Sequence, residues 1–185
     1  KIVVAPVLYM VKKGMKEALT QFVKNGGILI TTFMSGIVNE SDNVYLGGYP
    51  GPLRELAGVW VEEIDALAPE QTNKITFADG TSSTCSLLCD LIHLEGAQSV
   101  ASYESNFYAG MPAITKNQYG KGYTYYIGTN PTEDGIVKVL DMAVQTAGVT
   151  SVVSVATGLE ITCRKTDRFT YYFIFNFKDK VLPLP

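Results

Sequence analysis

The chain opens on Lys1-Ile-Val-Val-Ala-Pro-Val-Leu-Tyr-Met10, an almost unbroken apolar run rich in β-branched side chains. That pattern predicts a strand buried on both faces of a parallel sheet. From Met15 the period lengthens, so that Met15, Ala18, Leu19, Phe22 and Val23 line one helical face, and Gly26-Gly27 supplies the stop. A second buried strand, Ile28 to Phe33, follows at once, which completes a βαβ unit. Residues 34–52 read as an ordered loop, because Ile37, Val38, Tyr45, Leu46 and Tyr49 are interleaved with Gly36, Gly47-Gly48 and Pro50-Gly51-Pro52. Long ordered loops often carry contacts. Pro52 is placed to open a short helix through Leu56, ended by Gly58.

Further on, 59–64 and 74–77 have the alternation of half-exposed strands, while Leu87 to Leu94 fits strand or helix. Residues 99–103 read as another strand. Ala113 to Tyr119 and Tyr123 to Ile127, with Gly120-Lys121-Gly122 between them, predict a hairpin with a three-residue loop. A helix then places Ile136, Val137, Leu140, Ala143, Val144 and Ala147 on its apolar face, with Pro131 near its start and Gly148 at its end. Beyond Gly148 the texture changes to strict alternation: Leu159, Ile161 and Cys163, a Thr166-Asp167 turn, then Phe169, Tyr171, Phe173, Phe175 and Phe177. This predicts a β-hairpin belonging to a second, all-β domain, and hence domains at 1–148 and 149–185.

Composition narrows the classes. The 185 residues are 46% apolar and 18% charged with a formal charge of −3, a well-packed globular balance. No Lys/Arg-rich run exists to neutralise phosphates, so nucleic acid is not expected as a partner. The longest uncharged stretch, Asn25 to Asn39, is broken by Gly26, Gly27, Thr31, Thr32 and Ser35 and falls short of the ~20 apolar residues a bilayer span requires. No membrane is expected either. The odd cysteine count, Cys85, Cys89 and Cys163, does not make a disulfide framework; reduced thiols in a cytoplasmic protein are the simplest reading.

Candidate chemistry is sparse. Cys85, Cys89 and His93 recur every four residues and are zinc-type ligands, but a fourth ligand is missing and the surrounding leucines read as core. Ser35 stands after a buried strand and before Gly36, yet Phe33 occupies the position where a nucleophile elbow needs glycine, and His93 is the sole histidine available as a base. Gly120-Lys121-Gly122 lacks the Ser or Thr of a phosphate loop and precedes a strand. The junction Gly128 to Thr132 could offer backbone N–H groups to an anion, but a helix cap explains Thr132. Glu62/Glu63 and Glu133/Asp134 are sequence neighbours and do not converge as paired acids must. No catalytic residue, cofactor or metal site is therefore assigned.

Four stretches, Val3-Val-Ala-Pro-Val-Leu-Tyr-Met10, Phe33-Met-Ser-Gly-Ile-Val-Asn-Glu40, Leu46-Gly-Gly-Tyr-Pro-Gly-Pro-Leu-Arg-Glu-Leu56 and Tyr103-Glu-Ser-Asn-Phe-Tyr-Ala-Gly-Met-Pro112, are in order with Tyr119-Gly-Lys-Gly-Tyr and Tyr-Ile-Gly-Thr129. Together they resemble the middle domain of glycoside hydrolase family 42 β-galactosidases over residues 1–148, and Gly158 to Asn176 resembles the start of that family's small C-terminal β domain. The resemblance implies an α/β fold, flavodoxin-like or class I glutamine-amidotransferase-like, a parallel-sheet sandwich lacking its first strand and helix, followed by a truncated β-hairpin. It also implies a non-catalytic, trimer-forming role within a β-galactosidase whose catalytic barrel lies outside this chain. The expected partners are copies of the chain, as a homotrimer, and that barrel. Tyr45, Tyr49, Pro50 and Arg54, on the loop and the short helix after it, are the candidate subunit contacts. The competing class is a free-standing small hydrolase or ligand-binding module on the same fold.

Overall fold

The structure, a computed structural model, describes residues 1–150 and 158–184. It contains two compact units, Lys1–Ala147 and Gly148–Pro185. The first begins with β1 (Ile2–Ala5), α1 (Met15–Lys24) and β2 (Ile28–Thr32), then a 3-10 turn (Gly51–Leu53) running into α2 (Arg54–Ala57). β3 (Val59–Ala66), β4 (Asn73–Phe77), β5 (Ser82–Leu94), β6 (Gln98–Tyr103), β7 (Pro112–Tyr119), β8 (Gly122–Ile127) and β9 (Thr129–Pro131) follow, and α3 (Glu133–Thr146) closes the unit.

These strands form one mixed sheet in the order β1-β2-β8-β7-β6-β4-β5-β3, with β9 paired to β5. Only the steps β1-β2 and β2-β8 are parallel. The expectation of a parallel-sheet sandwich therefore fails for the rest of the sheet, where the pairings are antiparallel. The reason is the connections: β4-β5, β6-β7 and β7-β8 are joined by chain too short to cross a sheet face, and short returns make antiparallel pairs. Leu87 to Leu94, open between strand and helix in the sequence, belongs to the 13-residue β5.

α1 and α3 cover opposite faces of the parallel part. Leu29 packs with Val23 of α1, Val11, Leu53 and Leu56. Ile28 and Ile30, one residue to either side on β2, pack with Tyr125, Ile127 and with Val139 and Ala143 of α3. This is the period-2 alternation of a strand read by two layers. β2 is buried as expected, but β1 is not, since Val3 and Val4 are exposed. β1 is the edge of the sheet, and within the described unit neither α1 nor α3 reaches those two side chains.

Two further expectations shift. The β7-β8 hairpin turns through Gly120-Lys121 alone, because Tyr119 pairs with Gly122. α3 buries Gly135, Val139 and Ala143, whereas Ile136, Val137 and Leu140 are exposed. Close approach selects that face: a Cβ at Gly135 would stand 2.6 Å from Ser83 Oγ and 2.9 Å from the Pro131 ring, so only the small-residue side of the helix can lie on the sheet.

The described residues of the second unit form a two-stranded antiparallel hairpin, β10 (Leu159–Lys165) and β11 (Thr170–Asn176). Thr166 N–H bonds the Phe169 carbonyl at 2.9 Å to close its turn. Phe169, Tyr171, Phe173, Phe175 and Phe177 are all exposed, as are Tyr172 and Ile174 on the opposite side. Among the described residues no helix is long and apolar enough to cross a membrane.

Candidate functional site

The loop between β2 and α2 is held at both ends by the sheet. Ser35 is fully buried; its hydroxyl shares a 2.8 Å hydrogen bond with Thr31 Oγ1 and accepts Leu8 N–H at 3.0 Å. A serine so engaged braces the loop and is not placed as a nucleophile. Val38 bridges both Met10 and Val44, and Asn39 Oδ1 accepts the N–H groups of Ser41 and Asn43 at 2.9 and 3.1 Å. The loop is thus ordered by its own hydrogen bonds. Gly36 has φ 66 and its missing Cβ leaves the space taken by the Pro50 carbonyl, so this crossing of the loop on itself requires glycine.

The four residues named from the sequence occupy the far limb of this loop and the helix beyond. Tyr45 is half-buried, and its hydroxyl donates to the Val11 carbonyl at 3.1 Å. Tyr49 pairs with Val61 and packs over Ala57, Val59 and Val61. Pro50 is buried. Arg54 clamps the limb: Nε and Nη2 bond the two Glu95 carboxylate oxygens at 2.6 and 2.5 Å, and Nη1 bonds the Gly47 carbonyl at 2.9 Å. This fork raises the Arg54 pKa and holds the Glu95 carboxyl below its ordinary value. Arg54 also lies 5.4 Å from the Trp60 ring centroid, and Trp60 stacks on His93 at 4.9 Å. His93 in turn bonds Glu62 at 2.7 Å.

What these anchors present to solvent is Leu46, 96% exposed, with Val44 beside it, 59% exposed. The sequence reading named the anchors and missed the tip. The signal was available: Leu46 is a large apolar residue set directly against Gly47-Gly48, where no regular element could bury it. Phe107, 81% exposed, was missed likewise.

The zinc-type trio is dispersed. His93 lies four strand residues, ~13 Å, beyond Cys89, and is spent on Trp60 and Glu62. Cys85 and Cys89 are drawn together because β5 carries extra residues between Ser86 and Cys89, with Leu87 at φ 74, where it pairs with β9. Both thiols are buried and free; the neighbouring Cys89 thiol and then burial push the Cys85 pKa up, and Cys89 Sγ stands 3.7 Å from Thr129 Oγ1. Among the described residues no group of three His, Cys, Asp or Glu side chains is arranged to hold a metal. Thr132 occupies the N-cap position of α3, but its hydroxyl turns to Asp134 and Ser83.

One carboxyl is buried within the sheet. Asp90, on β5, is fully buried; Oδ2 accepts the Tyr126 hydroxyl at 2.7 Å, and Oδ1 has no partner among the described residues. Burial pushes its pKa up to about 7.

Residues 1–150 match the family described as the beta-galactosidase trimerisation domain. The chain is 50% identical over 185 residues to beta-galactosidase BgaP of Planococcus sp. (strain L4), covering 97% of this chain and 27% of that protein. It is 49% identical to beta-galactosidase LacA of Lactobacillus acidophilus, covering 100% of this chain and 28% of the relative. Among solved structures, the beta-galactosidase from Bacillus circulans sp. alkalophilus superposes with a TM-score of 0.89 at 41% identity, over 95% of this chain and 27% of that one. Gan42B, a GH42 beta-galactosidase from G. stearothermophilus, does so with 0.88 at 35% identity, over 97% and 26%. The mixed sheet with its few helices is thus shared with these enzymes, of whose length the chain spans 26–28%. With most of its length matched, the chain belongs to the beta-galactosidase trimerisation domain family.

Proposed function

We propose that this chain is the self-association unit of a β-galactosidase, joining copies into a homotrimer while the remainder of the parent protein supplies the catalytic barrel and hydrolyses terminal β-galactosides. The observation that carries this reading is Leu46, a fully projecting apolar side chain on a loop that Tyr45, Tyr49, Pro50 and Arg54 hold in place. A large apolar residue kept exposed on a braced loop fits a surface that is covered in the assembly. In a closed threefold ring one patch meets a different patch on the next copy, so the tip of this loop serves as one half of the contact. Tyr45, Tyr49, Pro50 and Arg54 act there chiefly by fixing the tip.

In the same reading β1, α1, β2, β8 and α3 form the flavodoxin-like part of the fold, and the hairpin of residues 159–176 begins a C-terminal β domain whose other strands would cover its aromatic rows. Free thiols at Cys85, Cys89 and Cys163 fit a cytoplasmic location. No binding to membrane or nucleic acid enters this function.

Light scattering tests the assembly directly. The chain is expected as a trimer that Leu46→Glu converts to smaller species whose circular dichroism stays that of a folded chain, because Leu46 is 96% exposed within one copy. A stable twofold dimer, or a trimer indifferent to Leu46→Glu and Arg54→Glu alike, overturns the assignment. A chromogenic β-galactoside should be turned over by the chain at the buffer rate.

A further inference from the structure

A cleft of about 410 Å³ lies outside that surface, between residues 67–72 and the turn 104–110, lined by Asp65, Leu67, Gln71, Thr72, Asn106 and Phe107. We propose that it is a sugar-binding site, taking the pyranose ring of a β-galactoside against the face of Phe107.

Phe107 is held out into water by a built turn. Asn106 stands at φ 70, in the left-handed region that asparagine tolerates, and its carbonyl accepts Ala109 N–H at 3.0 Å, while Gly110 N–H returns to the Tyr103 carbonyl at 2.8 Å. Tyr108 next to it is buried, and the two rings meet edge-on at 5.0 Å and 79°, which leaves Phe107 exposed along the cleft. Behind the ring a hydrogen-bond chain fixes the polar wall: Asn106 Nδ2 donates to the Tyr108 hydroxyl at 2.8 Å, and that hydroxyl donates to Asp65 Oδ2 at 2.6 Å. Gln71 Oε1 accepts Ala68 N–H at 3.0 Å. Each of these side chains is thereby oriented with its other end unspent. Among the described residues, Asp65 Oδ1 and Asn106 Oδ1 remain as acceptors, Gln71 Nε2 as a donor and the Thr72 hydroxyl as either.

An aromatic ring lining a cleft with residues that keep free acceptors and donors is what a pyranose needs, since its ring carries apolar C–H groups on one side and hydroxyls around its rim. The volume lies within the ~300–1,000 Å³ of small-ligand sites. Galactose is the better match to a single exposed ring than glucose: its axial O4 leaves the C3, C4, C5 and C6 hydrogens as one apolar patch, and points O4 away from the ring on which that patch rests. The choice of galactose rests on reading the parent as a β-galactosidase; the capacity of the cleft for a sugar does not.

Titrating the 185-residue chain with methyl β-galactopyranoside, followed by amide and aromatic NMR, should give saturable shifts confined to Gln71, Thr72, Asn106 and Phe107. Phe107→Ala, a surface change that leaves the fold intact, should weaken binding about tenfold, and Asp65→Asn should weaken it as well. Methyl β-glucopyranoside should bind several-fold less tightly. Absence of saturable shifts, or binding indifferent to Phe107→Ala, overturns the site, and equal affinity for the glucoside overturns the galactoside assignment. If Phe107→Ala instead breaks a trimer and no sugar binds, the ring is a contact between copies and the proposal fails. Light scattering on the same samples with Leu46→Glu reads self-association separately from sugar binding.

Discussion

β8, Gly122-Tyr-Thr-Tyr-Tyr-Ile127, and β11, Thr170-Tyr-Tyr-Phe-Ile-Phe-Asn176, draw on much the same side chains, yet Tyr125 and Tyr126 are wholly buried whereas Phe173 and Phe175 are each 48% exposed. β8 lies between β2 and β7, with helices on either side of this part of the sheet, and every second residue meets a different layer. Among the described residues of its unit, β11 has one partner strand and no layer on either face. Residue type therefore decides that both segments are strands, and neighbours decide which of them becomes core. A lone hairpin is at best marginal in water, so the two strands should respond very differently to the same kinds of change.

The largest contrast is expected from Tyr126→Ala. It removes a buried ring, opens a cavity and strips the hydroxyl from Asp90, and should cost about 3–5 kcal/mol in urea unfolding of the chain. A loss below about 1 kcal/mol would mean that this part of the sheet is no better packed than the hairpin.

Asp90 gives a second contrast, because the hairpin has no buried carboxyl. Unfolded, the group ionises near ~3.9; folded, it does so at about 7. Between those values the native state keeps a proton that the unfolded chain has lost. The associated stability is full below pH ~4 and drains away as the pH rises through 7. Asp90→Asn should flatten that part of the profile, and an unchanged slope would place the titration elsewhere. The smallest effect is expected from Phe173→Ala in the isolated chain, within about 0.5 kcal/mol. A loss rivalling that of Tyr126→Ala would show that the aromatic row is covered in solution.

Patterns with a local cause were legible: α1 from its 3.6 period, the short helix between Pro52 and Gly58, and the alternation of β10 and β11. Layer assignments were not. The doubly apolar β1 looks internal in one dimension, and only the strand order shows it to be an edge. α3 carries two apolar faces, and the weaker one is buried because Gly135 and Ala143 let the helix approach Ser83 and Pro131, a matter of clearance that hydrophobicity does not encode. At the candidate contact surface the same limit applied. Tyr45, Tyr49, Pro50 and Arg54 stand out by residue type, but which side chain projects from a braced loop depends on what the others are bonded to.

β5 bears on how the chain is made. Its 13 residues pair with β4, only a turn away, with β3 upstream, and with β9, whose Thr129 lies 40 residues beyond Cys89. As the chain leaves a ribosome, β3, β4 and β5 can zip together early, but the Cys85–Cys89 segment and Asp90 stay uncovered until β8 and β9 have emerged. Pairing across so much intervening chain is slow to form. The last-made stretch of the first unit is therefore the part that seals strands already paired, and a pause in synthesis before Tyr126 would leave two thiols and an unpaired carboxyl open to the surroundings.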